Sequence, residues 1–196
     1  HRDLHSFPTR RSSDLLQIHI SETALEVENM REENGMPVVP YVKKQGLFDA
    51  KVLAAHCVHI DEGEMRTLQH ARAGVSHNPS SNLKLASGFA PVSKMLESGL
   101  NVGIGTDGPA SNNDLDMFEE VRLAAFLAKT VSNDPTSLPA PQALAMATRI
   151  GAQAMHIGDI TGSLIPGKRA DLIVVDTDPL HRSEEHTSEL QSRQVI

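Results

Sequence analysis

Four short apolar stretches of this chain each end in side chains able to do chemistry: His19 with Glu22, then His56, His77 and Asp107. Imidazoles and carboxylates gathered at one point can hold a hard-to-borderline cation such as Zn2+ and still leave a group free for proton transfer. A single histidine at the end of a strand is more often a satisfied core residue than a ligand. The same placement at four consecutive segments reverses that preference, provided the segments bring their ends together.

The elements predicted around these residues do so. Residues 16–20, 51–58, 75–77 and 101–106 read as buried strands, the last closing on the turn Asp107-Gly108. Helices are predicted between and after them. The first runs from about residue 24, with Thr23 and Glu26 fitting a capping box and Gly35 placed to end it. Others span 61–73, 91–97, 114–129 and 143–155. In the helix over 114–129, Met117, Val121, Ala124 and Ala128 share one face, while Asp114 and Asp116 sit near the positive N-terminus. After residue 162 the pattern changes to a Pro166-Gly167 turn and an alternating strand over 170–175, the edge of a separate β layer. Strand–helix alternation predicts a parallel α/β fold. Four such units make half of a (β/α)8 TIM-type barrel, in which every strand opens its carboxyl end on one face. A doubly wound open sheet is the competing architecture, and the four polar strand ends favour the barrel.

Composition narrows the function. The 196 residues carry 18 Lys+Arg against 25 Asp+Glu, a net charge of −7, which argues against nucleic acid or an anionic membrane as partner. The longest apolar run, 123–128, is far below the ~20 residues of a membrane span. Arg10 and Arg11 are not followed by an apolar segment, so no secretory leader is expected. The single cysteine, Cys57, excludes an internal disulfide and Cys-rich zinc sites and fits a cytoplasmic protein. Residues 1–15 and 182–196 resemble in-frame translations of a pair of sequencing adapters. The expectation is that both flanks are foreign and that the gene was cut at both ends, leaving 16–181 to interpret.

Within that stretch, His19-Ile-Ser-Glu22, Ala54-Ala-His56-Cys-Val-His59, Ser76-His-Asn-Pro-Ser-Ser-Asn82 and Gly105-Thr-Asp-Gly-Pro-Ala-Ser-Asn-Asn113 resemble successive motifs of the amidohydrolase superfamily. Within it they are most similar to the 5-methylthioadenosine/S-adenosylhomocysteine deaminase group and its chlorohydrolase relatives. The segment Gly162-Ser-Leu-Ile-Pro-Gly-Lys-Arg-Ala-Asp-Leu-Ile-Val-Val-Asp176 resembles the return of such enzymes to a small β-sandwich. The resemblance implies that residues 16–158 are the C-terminal half of the barrel, strands 5–8, and that 159–181 begin the sandwich. It implies zinc, or another divalent metal, held by His19 and Asp107. Glu22 would be the acid/base meeting the substrate's ring nitrogen, and His56 would orient the attacking hydroxide. Asp107 would also take the water proton, and the 77–82 loop would have a supporting role. The implied reaction is hydrolytic deamination of an adenine-type small molecule, with Glu22 and His56 contacting substrate. Triazine dechlorination or guanine or cytosine deamination on the same scaffold is the alternative. The family's first two metal ligands form a His-x-His pair on the first strand, and no His-x-His precedes His19. The chain as written is therefore expected to be an inactive fragment lacking half of the metal site. Its oligomeric state is left open.

Other signals have plainer readings. Gly103-Ile-Gly-Thr-Asp-Gly108 satisfies a dinucleotide-binding pattern, but Asp107 would repel a pyrophosphate and the next predicted helix begins too far on. Cys57, beside His56 on a strand, points away from the site and reads as a structural thiol. His59 fits an outer or helix-capping role better than that of a ligand. His70 and His156 fall on predicted helices, and Glu26, Glu28, Glu32 and Glu33 read as a solvated helix face.

Overall fold

The computed structural model describes residues 15–175. Apart from Leu15, the adapter-like flanks lie outside the described residues, as does the stretch 176–181. Four strands, β1 (Leu15–Ile20), β2 (Lys51–His56), β3 (Gly74–His77) and β4 (Asn101–Ile104), pair side by side in chain order. Every pairing is parallel. A doubly wound sheet reverses its order of progression at a switch point. These strands advance in one direction with helix after each, the wiring of a barrel wall. Their polar ends therefore share one edge: Ile20 pairs with His56, and His77 with Ile104.

The strands form because one face of each is apolar and covered. Val52, Ala54, Val75 and Val102 are buried in one core with Leu68 of α3 (Glu62–His70), Met95 of α5 (Val92–Glu97) and Ala124 and Ala128 of α7 (Met117–Ser132). Helix α1 (Ala24–Asn34) starts and stops at the predicted residues. Thr23 Oγ1 accepts the Glu26 N–H at 3.2 Å, and Gly35 adopts φ 69°. Helix α3 opens on a complete capping box between Asp61 and Glu64 and ends at His70, short of the predicted residue 73. Arg72, at φ 54°, turns the chain there into β3.

Short helices are where expectation and structure part. Helices α2 (Val38–Lys44), α4 (Pro79–Lys84) and α6 (Pro109–Asn112) and a 3-10 turn at Leu47–Asp49 were not predicted. Each is too short for a 3.6-residue period to emerge from the sequence. Helix α7 begins three residues later than predicted, with Asp116 accepting the Phe118 N–H at 2.8 Å. Its buried stripe is Glu120, Ala124, Ala125 and Ala128, whereas Met117 is 38 % exposed. The single helix predicted over 143–155 is two, α8 (Ala140–Met146) and α9 (Arg149–Ala154), broken at Thr148. The strand predicted over 170–175 is irregular, with Ile173 and Val174 exposed. Alternating apolar residues make a strand only where a neighbour takes up the backbone N–H and C=O groups, and none does so among the described residues.

The break at Thr148 lets α9 lie directly on the sheet, and two glycines make room for it. A Cβ on Gly74 would fall on the Ala154 carbonyl, and one on Gly103 would come within 2.9 Å of the Gly151 Cα. Neither backbone can retreat without parting helix from strand. Gly74→Ala is therefore expected to destabilise by about 1–3 kcal/mol, the ordinary cost of overpacking. Gly108→Ala, where nothing lies within 4 Å of the added carbon, is the control. Urea unfolding of both proteins checks this, and equal midpoints would show that α9 does not bear on Gly74.

Candidate active site

Where β1 stops, Ser21 takes a left-handed conformation, φ 51°, and its carbonyl accepts the His59 N–H at 3.0 Å. The Glu26 carboxylate accepts the Ser21 N–H at 3.0 Å and the Glu22 N–H at 2.8 Å. Glu26 is therefore not part of a solvated face, as its spacing with Glu28, Glu32 and Glu33 implied. It fixes the backbone that carries Glu22. The reason is geometric: the first turn of α1 folds back over the strand end, where two N–H groups have left the ladder.

His56 ends β2 opposite Ile20, a register that alone would send its ring towards the helices. Instead His56 and Cys57 take φ 72° and 49°. This left-handed pair breaks the pleat and brings the His56 ring edge-on to His19, centroids 4.7 Å apart. Glu22 Oε2 lies 3.4 Å from His19 Nδ1 and 3.7 Å from His56 Nε2. The ligand atoms of His19, Glu22 and His56 all lie within 4.8 Å of one another. His56 is fully buried, and its Nδ1 is 2.8 Å from Asn82 Oδ1. With that oxygen accepting the Nδ1–H, Nε2 is the ring atom that faces the site. His19, by contrast, is 57 % exposed.

Asp107 follows β4, also left-handed at φ 60°, and is not a member of that trio. Ser81 Oγ and Ser111 Oγ both donate to its Oδ2, at 2.8 and 2.7 Å. Burial by itself would raise its pKa. The Ser111 and Ser81 hydroxyls, the Gly108 amide and the positive field of His56 outweigh that effect and hold the carboxyl below its usual range. The chain thus brings His19, Glu22 and His56 into contact and sets Asp107 beside them, within the field of His56.

A second observation marks the same edge. Among the described residues, the buried side-chain polar atoms without a hydrogen-bond partner are Ser21 Oγ, His56 Nε2, Asn82 Nδ2 and both ring nitrogens of His77. Each orphaned group costs about 1–3 kcal/mol, so a fold tolerates them where they serve something else. All lie at the carboxyl ends of β1–β3 or in α4 just beyond. Sequence reasoning gave the 77–82 loop a supporting role without separating its members: Asn82 holds His56, and Ser81 holds Asp107. It also passed over Ser111, whose only signal was its place four residues after Asp107.

The plainer readings fare as follows. Cys57 is buried, with Sγ 3.9 Å from the Ala54 carbonyl, and burial beside Glu64 and Glu26 pushes its thiol pKa up. It is a packing residue. His59 Nε2 meets the Ser87 carbonyl at 2.6 Å, and Ser87 Oγ reaches Glu22 Oε1 at 3.4 Å, so His59 stands one step behind the site. His70 closes α3 on the surface. His156 lies just past α9 rather than within it, with Nε2 3.3 Å from the Val52 carbonyl. The glycine-rich run leads only into the four-residue α6, which offers no helix dipole of consequence to a phosphate.

Parallel strands in sequential order gather imidazoles and carboxylates at their carboxyl edge, an α/β arrangement suited to acid/base or cation-assisted chemistry. Residues 10–196 match the amidohydrolase family, and the chain belongs to it. It is 50 % identical over 171 residues to 5-methylthioadenosine/S-adenosylhomocysteine deaminase of Dictyoglomus thermophilum, a match covering 87 % of this chain and 40 % of that protein. It is 52 % identical over 166 residues to 5'-deoxyadenosine deaminase of Methanosarcina acetivorans, covering 85 % and 38 %. In structure it resembles an adenosine deaminase from Xanthomonas campestris solved with bound zinc. That likeness has a TM-score of 0.82 at 41 % identity and covers 91 % of this chain and 40 % of that one. The chain thus spans about two fifths of the length of the relatives it matches. No helix among the described residues is long and apolar enough to cross a membrane.

Burial, with the positive field of His56, holds the His77 ring down from 6.5 to about 4. The unfolded chain therefore binds a proton below pH 6.5 that the folded chain refuses until about pH 4, so stability falls as pH drops through that window. The urea midpoint is expected to decline over it, and His77→Gln to remove a slope approaching ~1.4 kcal/mol per pH unit. Identical slopes for the two proteins would show that the ring is not held neutral.

Proposed function

We propose that residues 16–158 form the second half of a (β/α)8 barrel, with β1–β4 as its fifth to eighth strands, and that 159–181 begin the return to a small β-sandwich. We further infer that the complete protein hydrolytically deaminates an adenine-type ring. One observation carries the reading: His19, Glu22 and His56 converge within 4.8 Å at the carboxyl edge of a parallel sheet. The names of the half-identical relatives add the substrate class, since both belong to deaminases of adenine nucleosides.

The donor set fits a divalent metal. The imidazole of His19 and the carboxylate of Asp107 are ligand types that zinc takes, and the orphaned His56 Nε2 marks the strand edge at which they stand. His19 and Asp107 would hold zinc, together with a His-x-His pair that this sequence does not contain. When bound, the metal supplies a water acidic enough to ionise near neutral pH. The chain's own residues do the rest. Asp107, ionised and with both serine hydroxyls on Oδ2, accepts a proton from the attacking water. Glu22, protonated, donates to the ring nitrogen beside the carbon under attack. His56, its Nδ1 fixed by Asn82, aims Nε2 at the incoming oxygen. Asp107 then gives the proton it took from water to the amino group, which leaves as ammonia while the added hydroxyl collapses to a carbonyl and returns its proton to Glu22.

The test is a chimera in which residues 15–175 replace the matching segment of the Dictyoglomus thermophilum relative. The zinc-loaded chimera is expected to release ammonia from 5-methylthioadenosine, and Glu22→Gln to slow it by about 10²–10⁴-fold, the usual worth of a positioned acid/base. A folded, zinc-loaded chimera that deaminates no adenine nucleoside would overturn the reading. Chloride release from a triazine would put the alternative in its place.

Metal content gives an independent check. With only two of the implied ligands, the chain by itself is expected to lose zinc on dialysis against a weak chelator. One zinc per chain retained through that treatment, measured by atomic emission, would overturn the assignment of ligands.

A further inference from the structure

Glu120 of α7 is buried to 1 % exposure and has no basic partner among the described residues. Its two oxygens are committed to two different loops. Oε2 accepts the Ser80 N–H at 3.1 Å, at the start of α4, and Oε1 accepts Asn112 Nδ2 at 2.6 Å, at the end of α6. The same Asn112 amide donates to the Thr106 carbonyl at 2.8 Å, and Asn112 Oδ1 accepts the Leu115 N–H at 3.0 Å.

The three positions so tied, 80, 112 and 106, are the immediate chain neighbours of Ser81, Ser111 and Asp107. Those are the three residues whose side chains meet at Asp107 Oδ2. The loops after β3 and β4 have no ladder between them beyond the Gly105 N–H to His77 carbonyl bond at 2.9 Å. Side chains supply the remaining bridges: Lys84 Nζ donates to the Ala110 carbonyl at 2.8 Å and to Asn113 Oδ1 at 2.6 Å on the exposed side, and Glu120 ties the two loops on the buried side, next to Ser81 and Ser111. A carboxylate suits the place because it accepts at both oxygens and donates at neither.

We infer that Glu120 is a positioning residue for Asp107. By clamping the post-β3 and post-β4 loops together it seats the Ser81 and Ser111 hydroxyls on Oδ2, which fixes the carboxylate and leaves Oδ1 clear of both hydroxyls. That this matters for metal binding rests on the reading of Asp107 as a ligand; the clamp itself does not. Outer partners of metal ligands commonly change affinity by about 10–100-fold when removed.

The experiment uses the 196-residue chain labelled with carbon-13 at aspartate carboxyls. The Asp107 resonance is identified by its loss in Asp107→Asn. The double variant Ser81→Ala/Ser111→Ala gives the resonance of a carboxylate without its hydroxyls. Glu120→Gln keeps the shape of the side chain but offers one acceptor oxygen to two donors. It is expected to move the Asp107 resonance at least halfway to that reference, and to produce no further shift in the double-variant background. An unmoved resonance in folded Glu120→Gln overturns the inference. If that variant does not fold, Glu120→Asp, which keeps the charge but withdraws it from both loops, is read the same way.

Cobalt(II) titration forms the second arm. Affinity is expected to fall about 10-fold in Glu120→Gln, and not at all once both serines are absent. Equal cobalt affinity in the wild type and Asp107→Asn would refute the metal reading, while the carboxyl resonance would still decide the clamp. Cobalt affinity that depends on Asp107 but is unchanged in Glu120→Gln would overturn the clamp alone.

Discussion

A parallel sheet stops abruptly, and the backbone leaving it must find hydrogen bonds that the ladder no longer supplies. At the carboxyl edge of this sheet that demand is met by carboxylates from helices. Glu26 takes the N–H groups of Ser21 and Glu22, Glu64 takes those of Val39 and Asp61, and Glu120 takes that of Ser80. Each joins segments that sheet pairing cannot hold. The site exists because these connections fix the loops, and the loops carry the chemistry.

Fixed loops in turn allow uncommon backbone conformations. Ser21, His56, Cys57 and Asp107 all have positive φ, a conformation costing roughly 1–2 kcal/mol for a residue with a side chain. What it yields here is direction. Without the kink at His56 and Cys57, the imidazole would follow the pleat into the apolar core beside Ile20, away from Glu22. The same edge concentrates the orphaned polar atoms among the described residues, from Ser21 Oγ to the His77 ring. Strain and unsatisfied polarity fall together where geometry matters more than stability.

The strands were legible because their signal is local: short apolar runs bounded by turn residues, at spacings that leave room for one helix each. So were the ends of α1, where Thr23 and Gly35 have conformations that few other residues adopt as readily. Parallel wiring made the shared edge of His19, Glu22 and His56 legible, but not the left-handed kink that turns the His56 ring towards the other two. What lay beyond reach was whatever depends on three dimensions at once. Helices α4 and α6 are too short to announce themselves, yet they hold Ser81, Asn82 and Ser111. The break at Thr148 follows from α9 finding Gly74 and Gly103, residues distant in sequence. Glu120 did leave a trace: it stands four and eight residues before Ala124 and Ala128, a charge on an apolar stripe. Such a charge implies buried donors, but not which ones.

A buried carboxylate without a basic partner is ordinarily a liability, since desolvation outweighs what neutral donors return. Glu120 and Asp107 are held instead by neutral donors, the Ser80 amide and Asn112 on one and the Ser81 and Ser111 hydroxyls on the other. Asp107, held below its usual range by those hydroxyls, keeps a charge that a cation at this edge would meet. Holding the carboxylates by backbone amides and serine hydroxyls, rather than by lysine or arginine, keeps their charge uncompensated and available. Neutral donors on Asp107 and Glu120 thus fix two carboxylates in place without the ion pairs that would occupy them.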